Sequence, residues 1–128
     1  MKKKYLVECL RQVPEGKTCK LEAGSWSMLP AIKKGDELVM RRVKFSQVKR
    51  GDVIVYNDEI FKQVTVHRVV KIIKRGSKIS FLTKGDSNRY QDKEVVDKKN
   101  FIGKVELVRR KILGGFFLRK IKMLQDKQ

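Results

Sequence analysis

Residues 52–73, DVIVYNDEIFKQVTVHRVVKII, decide the fold class of this 128-residue chain. The segment holds two runs rich in Val, Ile and Tyr, and between them lies NDE (57–59), a sequence typical of a turn. Alternation along the second run places Thr65, His67 and Val69 on one face of a strand and their neighbours on the other. The segment therefore predicts two β-strands joined by a turn, in a domain that is mainly β.

The same signals continue on both sides of this segment. Further strands are predicted at TCKLEA (18–23), DELVMRRV (36–43), ISFLTKG (79–85) and near FIGKVELV (101–108). Apolar residues at helical spacing predict a short amphipathic helix at each end of the chain. The N-terminal stripe is Leu6, Cys9, Leu10 and Val13, and the C-terminal stripe is Leu113, Phe117, Ile121 and Leu124. We expect one domain over residues 1–128, divided into an N-terminal helix (1–13), a β catalytic core (17–106) and a basic amphipathic tail (107–128).

Gly-Asp occurs three times, at 35–36, 51–52 and 85–86. The first two pairs precede predicted strands, where Gly supplies unusual backbone angles and Asp is expected to bond the amides that follow it. The third pair follows a strand and opens a polar loop. Because the spacings differ and the flanking residues do not match, no structural repeat is predicted.

The strongest compositional feature is charge, with 32 Lys and Arg against 14 Asp and Glu and a formal net charge of +18. Such a surface attracts polyanions, either nucleic acid or an anionic membrane. The basic tail is one candidate for contact with a membrane surface; the alternative is that its apolar stripe packs on the domain and its charges are solvated. Low aromatic content and the lack of a stacking motif argue against nucleic acid.

The sequence also indicates where the protein works. Cys9 and Cys19 fit no metal spacing and are expected to be reduced thiols. No export signal is evident, and the longest near-apolar run, ILGGFFL (112–118), is far shorter than the roughly 20 residues that span a bilayer. We expect a cytoplasmic protein that can lie peripherally on the inner face of the membrane, and no metal or cofactor is implied.

Three residues could together carry nucleophilic catalysis. Ser27 lies in GSWSMLP (24–30), His67 is the single histidine of the chain, and Asp86 lies in the third Gly-Asp pair. A serine needs a base within hydrogen-bond reach, and that base needs a third group to orient it. Taken singly, each residue has an ordinary structural explanation, and spacing alone does not bring the three together.

A longer series of motifs is more specific. SMLPAIKKGDELVM, GDVIVY, VHRVV, FLTKGDSN and IGKV follow one another between residues 27 and 105. This series resembles the signal peptidase I and LexA-like serine peptidase superfamily. His67 stands in the phrase in which the archaeal and endoplasmic-reticulum branch carries a histidine base, so the chain is similar to that branch, in a stand-alone form without a membrane anchor.

The resemblance implies a role for each residue. Ser27 becomes the nucleophile and His67 the general base, while Lys62 and Lys84 do not occupy the matching phrase for a lysine base. Asp86 and Asp92 are the candidates to orient His67, with Asp86 preferred because it lies in KGDSN. The remaining site residues fall into two groups: oxyanion donors, the Ser27 amide and the Ser25 hydroxyl, and residues of the substrate region, Trp26 and Met28.

The two residues assigned to the substrate region differ in what is expected of them. Met28 is expected to pack beneath the nucleophile turn. Trp26 stands where relatives usually carry glycine, and its indole is expected to narrow the site or to contact lipid.

The function implied is a serine endopeptidase that cleaves leader or signal-like peptides in a peptide or precursor-protein substrate. The substrate is expected to lie as an extended strand beside the residues that precede Ser27. Two alternatives remain: a non-catalytic basic β-domain that binds nucleic acid or anionic membrane, and a LexA-type regulator that cleaves itself.

Overall fold

The computed structural model describes residues 3–112 and 115–120, and within them the chain forms one α-helix and seven β-strands. The elements in chain order are α1 (Lys3–Gln12), β1 (Thr18–Glu22), β2 (Glu37–Arg41), a 3-10 helix (Phe45–Gln47), β3 (Val53–Asp58), β4 (Gln63–Arg75), β5 (Lys78–Lys84), β6 (Phe101–Ile112) and β7 (Gly115–Lys120). The prediction of a mainly β fold with an N-terminal helix is confirmed.

All strand pairs are antiparallel, and they form a single sheet in the order β1-β2-β6-β3-β4-β5, with β7 also paired to β6. Strand β3 lies in the middle of this sheet and is covered on both faces. Val53 and Val55 join the cluster beneath α1, while Ile54 and Tyr56 join a second cluster that contains Phe81. Burial on both sides explains why the β3 sequence is an unbroken apolar run.

The turn between β3 and β4 lies later in the chain than its sequence predicts. Strand β3 continues to Asp58, and β4 begins only at Gln63. The Asp58 Oδ1 atom accepts hydrogen bonds from the amides of Ile60 (3.0 Å) and Phe61 (3.1 Å), so this side chain organises the turn. Ile60 and Phe61, expected to start the next strand, are instead exposed at the tip.

The first two Gly-Asp pairs form the same local turn. Gly35 and Gly51 both have positive φ, at 92° and 95°, which glycine adopts without strain. The carboxylates of Asp36 and Asp52 each accept from the amide three residues before them (2.7 and 2.8 Å). The expectation that these carboxylates bond the amides that follow them is therefore wrong. They bond amides that precede them, because each turn folds the preceding residues back towards the carboxylate.

The predicted C-terminal helix is wrong over the described part of the tail. Strand β6 runs on to Ile112, and β7 pairs with it from Gly115, so the two form an antiparallel ladder. Arg109 bonds Glu37 of β2, and Arg110 bonds Asp36 in the first Gly-Asp turn. These ion pairs help extend β6 beyond the predicted core, whereas glycine costs a helix about 1 kcal/mol relative to Ala. Residues 113–114 and 121–128, which hold Leu113, Ile121 and Leu124 of the predicted stripe, lie outside the described residues.

Across the described ranges, 3–112 and 115–120, we find no helix with the length and apolar character needed to cross a membrane.

Candidate active site

Ser27 lies on a tight turn between β1 and β2. The Leu29 amide donates to the Trp26 carbonyl (3.2 Å), and the Ile32 amide donates to the Met28 carbonyl (2.8 Å), so the chain coils directly after the serine. Met28 points into the core and is only 2 % exposed. This coil holds Ser27 at the edge of the core, where its side chain is partly exposed.

A second loop, residues 85–88, supports the Ser27 turn from beneath. The Ser87 amide donates to the Ser27 carbonyl (2.9 Å), and the Ser87 hydroxyl donates to the Trp26 carbonyl (2.9 Å). Gly85 is buried at this contact, where a Cβ atom would lie 2.7 Å from the Ser27 carbonyl oxygen. Only glycine allows the two loops to approach this closely.

His67 is brought to Ser27 by the pairing of β4 with β3, in which it lies opposite the buried Ile54. Its Nε2 atom is 3.1 Å from the Ser27 hydroxyl oxygen, although the two residues are 40 positions apart. The imidazole is itself buried. The face predicted from alternation, with Thr65 and Val69 beside His67, is the face that carries the second core cluster.

Asp92, and not Asp86, faces His67. The Asp92 Oδ2 atom lies 2.6 Å from Nδ1 of His67. The polar loop, residues 86–94, runs back along β5 from Asp92 onward. The Asp92 amide donates to the Thr83 carbonyl (2.8 Å), and Val96, just after the loop, forms a β-bridge with Phe81. This return path carries Asp92 to the ring.

The preference for Asp86 as the residue that orients His67 is therefore wrong. Asp86 forms a two-bond ion pair with Arg68, at 2.9 Å from Nε and 2.8 Å from the terminal nitrogen. Arg68 follows His67 in β4 and points to the opposite face of the strand, where it also bonds the Gly51 carbonyl (2.8 Å). Asp86 thus fixes the 85–88 loop to β4 beside the imidazole without touching it.

The environment of Asp92 keeps it ionised. Burial raises the pKa of this carboxyl, but hydrogen bonds from His67, Thr83 and Tyr56, together with the charge of the imidazole, outweigh burial and lower the pKa below its ordinary value. A carboxylate can only accept, so a neutral His67 must carry its proton on Nδ1. Nε2 is then free to accept the Ser27 proton.

The two serines of the turn lie close together. The Ser25 hydroxyl oxygen is 3.1 Å from that of Ser27 and 3.4 Å from the Ser27 amide nitrogen. Both predicted oxyanion donors, the Ser27 amide and the Ser25 hydroxyl, therefore lie at the same point beside the nucleophile. The arrangement can support acyl transfer, since nucleophile, base, orienting group and oxyanion donors are all within reach of one another.

The remaining predicted positions behave differently from one another. Trp26 is 50 % exposed and is free to meet a ligand, whereas the burial of Met28 leaves it a structural role: its sulfur accepts the Asp86 amide at 3.3 Å. The expectation that Met28 packs beneath the nucleophile turn is confirmed, and its inclusion among the residues of the substrate region is wrong for the same reason. Lys84 donates to the Gly85 and Asp86 carbonyls, and Lys62 is exposed in the β3–β4 turn.

Four residues of the site are absent from the sequence prediction: Tyr56, Arg68, Thr83 and Gly85. Thr83 donates to Asp92 at 2.6 Å, and the Tyr56 hydroxyl is 3.1 Å from the same oxygen. Gly85 and Arg68 lie inside motifs already noted, but the residues they contact across the site are 17 or more positions away in sequence: Ser27 for Gly85, and Gly51 and Asp86 for Arg68. Among residues 3–112 and 115–120, no cluster of three or more His, Cys, Asp or Glu side chains is arranged to hold a metal.

Comparison with known proteins identifies a peptidase family. Residues 2–106 match the family model described as Peptidase S24-like. The signal peptidase complex catalytic subunit sec11 of Neurospora crassa is 35% identical over 94 residues, which cover 73% of this chain and 52% of that protein. The corresponding SEC11 of Colletotrichum graminicola is 36% identical over 92 residues, covering 71% and 51%. Human SEC11C is 33% identical over 88 residues, covering 67% and 46%.

The chain thus spans about half the length of the curated relatives it matches. The matched segment includes the turn of Ser27, the strand of His67 and the loop that leads to Asp92. The resemblance predicted from the sequence motifs is confirmed by these matches.

Proposed function

Because the chain belongs to the Peptidase S24-like family, we propose that it is a serine endopeptidase that uses Ser27, His67 and Asp92 to cleave leader or signal-like peptides. One observation carries this proposal: Ser27 and Asp92 lie on opposite sides of the same imidazole, at 3.1 and 2.6 Å. An imidazole that lies between a serine hydroxyl and a carboxylate is the arrangement that activates a serine for nucleophilic attack.

The reaction begins when the Ser27 hydroxyl oxygen attacks the peptide carbonyl carbon and its proton passes to Nε2 of His67. Asp92 stabilises the imidazolium that forms, through the bond to Nδ1. His67 then gives the proton to the leaving amine, and an acyl-enzyme remains on Ser27. Water, deprotonated by the same nitrogen, hydrolyses this ester and restores the free serine.

The negative charge that develops on the carbonyl oxygen is stabilised by hydrogen bonds from the Ser27 amide and the Ser25 hydroxyl. In the free protein the Ser27 amide donates to the Ser25 hydroxyl oxygen at 3.4 Å, so the two groups lie side by side next to the nucleophile. During attack both groups donate to the oxyanion. Donors placed in this way stabilise the transition state more than the substrate.

The substrate class follows from the relatives and from the shape of the site. The relatives are named as catalytic subunits of the signal peptidase complex, which supports precursors with signal-like segments as substrates. The chain from Ala23 to Ser27 is exposed at Gly24, Ser25 and Trp26, so an extended peptide can lie beside it. Trp26 would then flank the residues around the scissile bond.

The net charge of +18 supports an anionic membrane as the surface on which precursor and peptidase meet. Two cations of the tail, Arg109 and Arg110, are held in ion pairs within the sheet, so the attraction is assigned to the surface as a whole. Sedimentation with anionic and neutral vesicles over a salt series tests this. Equal binding to anionic and neutral vesicles would contradict this proposal. Tighter binding to RNA than to anionic vesicles would favour nucleic acid as the partner.

The peptidase itself is tested by incubating wild type and Ser27→Ala with a diverse peptide pool, with and without anionic vesicles, and reading the products by mass spectrometry. Cuts that vanish in the variant support the proposal and report the residues preferred on each side of the bond. Processing of the chain itself, abolished by the same substitution, would indicate the self-cleaving alternative. Products identical for both proteins would contradict the proposal.

A further inference from the structure

The Tyr56 side chain lies deep in the site although no step of the proposed reaction uses it. It extends from β3 on the face that carries His67 and is only 5 % exposed. The two rings meet edge to face, with centroids 6.4 Å apart. A buried phenol requires a hydrogen-bond partner, because leaving its hydroxyl unpaired would cost free energy.

That partner is the carboxylate oxygen on which His67 depends. The Tyr56 hydroxyl is 3.1 Å from Asp92 Oδ2 and 3.3 Å from the Thr83 hydroxyl. Thr83 donates to the same oxygen at 2.6 Å, and so does Nδ1 of His67. Three donors from three strands, β3, β4 and β5, therefore converge on one oxygen atom.

Sharing the oxygen has a chemical consequence for the base. When a carboxylate oxygen already accepts hydrogen bonds from two hydroxyls, these bonds partly neutralise its negative charge. Its electrostatic attraction for an imidazolium is therefore reduced. Resting on the function proposed above, we propose that Tyr56 is a positioning residue. Through Asp92 it limits how strongly the proton is retained on His67, and so sets the lowest pH at which the peptidase works.

The phenol can perform this role across the working range because it remains protonated. Burial raises the pKa of Tyr56 well above the ordinary value for tyrosine, and the charges of Asp92 and Asp58 raise it further. Tyr56 is therefore a donor whenever Asp92 is an acceptor. Its hydrogen bond does not switch on or off between acid and neutral pH.

Other charges face the same carboxylate and must be held constant in any test. Lys84 and Arg89 line the open depression that Asp92 also borders, together with Tyr90. On the far face of β4, Asp86 is paired with Arg68. None of these residues changes when the Tyr56 hydroxyl is removed, so Tyr56→Phe isolates a single donor.

The test uses the fact that the chain has one histidine, so that its imidazole signals in an NMR titration need no assignment. The midpoint of this titration is measured for wild type, for Tyr56→Phe and for Tyr5→Phe, the last being a matched control on the exposed face of α1. We expect Tyr56→Phe to move the midpoint upward by about half a pH unit and Tyr5→Phe to leave it in place. An unchanged or lowered midpoint in Tyr56→Phe would overturn the proposal.

A second measurement avoids any loss of packing. Protein in which Tyr56 alone is replaced by 3-fluorotyrosine keeps the phenol, but as a stronger donor, so the midpoint should move downward. If Tyr56→Phe fails to fold, this result decides the matter, because an upward shift or no shift contradicts the proposal. Both readouts are independent of peptidase activity, and the loss of Ser27-dependent cleavage tests the proposed function separately.

Kinetics then connect the two proposals. In a Ser27-dependent peptidase, the acid limb of the pH profile for kcat/KM should move upward in Tyr56→Phe by the same amount as the NMR midpoint. A fall in kcat at every pH, with both midpoint and acid limb unmoved, would assign Tyr56 a purely structural role and overturn the inference.

Discussion

Asp86 and Arg68 form a two-bond ion pair in which the arginine side chain is 3% exposed and the carboxylate 13%. This pair lies on the far side of the strand that carries His67, so one acidic residue of the loop holds the backbone while the other, Asp92, serves the imidazole. The two carboxylates, six residues apart, thus have different roles, which can be distinguished by substituting each one separately.

Replacing Ser27 or His67 by alanine should remove peptide cleavage. Either change deletes the group that attacks or the group that takes its proton, and we expect kcat to fall by at least ~10³-fold. The measurement is turnover of a peptide identified from the pool, with circular dichroism to verify folding. The double variant should be no worse than either single one, and additive losses would contradict a shared role.

Asp92→Asn should lower kcat by roughly 10²–10⁴-fold while the fold is retained, because an amide can leave His67 with its proton on the wrong nitrogen. The matched change Asp86→Asn should act mainly on stability. It leaves the buried Arg68 charge partly uncompensated, at a cost of about 3–5 kcal/mol in the free energy of unfolding. Urea denaturation and steady-state kinetics on both variants decide this, and a reversal of the two patterns would refute the assignment.

Gly85→Ala should damage the site through the backbone of Ser27. The added methyl would lie 2.7 Å from the Ser27 carbonyl oxygen and 2.6 Å from the Asn88 side-chain nitrogen, so the two loops must separate. Displacement of a nucleophile by a fraction of an ångström to one ångström costs on the order of 10²-fold in rate. Gly24→Ala is the control for thermal unfolding, because a methyl group added at Gly24 would have no neighbouring atom within 4 Å. Equal melting temperatures and equal rates for Gly85→Ala and wild type would contradict the contact.

Ser25→Ala should reduce kcat by about 10²–10³-fold with little change in KM, because the lost hydroxyl interacts mainly with the oxyanion. Ser87→Ala provides a comparison, since that hydroxyl donates to the Trp26 carbonyl and supports the turn from the other side. A rise in KM alone for Ser25→Ala would place its hydroxyl on the bound substrate instead.

The lowered pKa of Asp92 predicts how stability depends on pH. Since the folded value lies below the ordinary value of about 3.9, the carboxylate contributes its full stabilisation above that ordinary value. The contribution is lost as the pH falls through the folded pKa. The gap in free energy of unfolding between wild type and Asp92→Asn should therefore narrow as the pH falls below about 4. Denaturant titrations from neutral to acid pH measure it, and a gap that widens in acid would contradict the shift.

The sequence by itself determined the elements that depend on local pattern. Alternating and continuous apolar runs indicated β1 to β5 and the first part of β6, because side chains on a strand must match the faces they cover. The helical spacing of Leu6 and Leu10 indicated α1. The motifs that begin at Ser27 and contain His67 indicated the family, since their order and wording extend over most of the chain.

Only the tertiary structure decided which of these side chains meet. Asp92 reaches His67 because the end of the polar loop returns along β5, while the bond to Arg68 holds Asp86 on the far side of β4. The tail became β7 because it pairs with β6, and Tyr56 entered the site because β3 lies between β4 and β6. Local pattern sets the period of each segment, but contacts between segments depend on strand pairing and loop paths, which no single segment encodes.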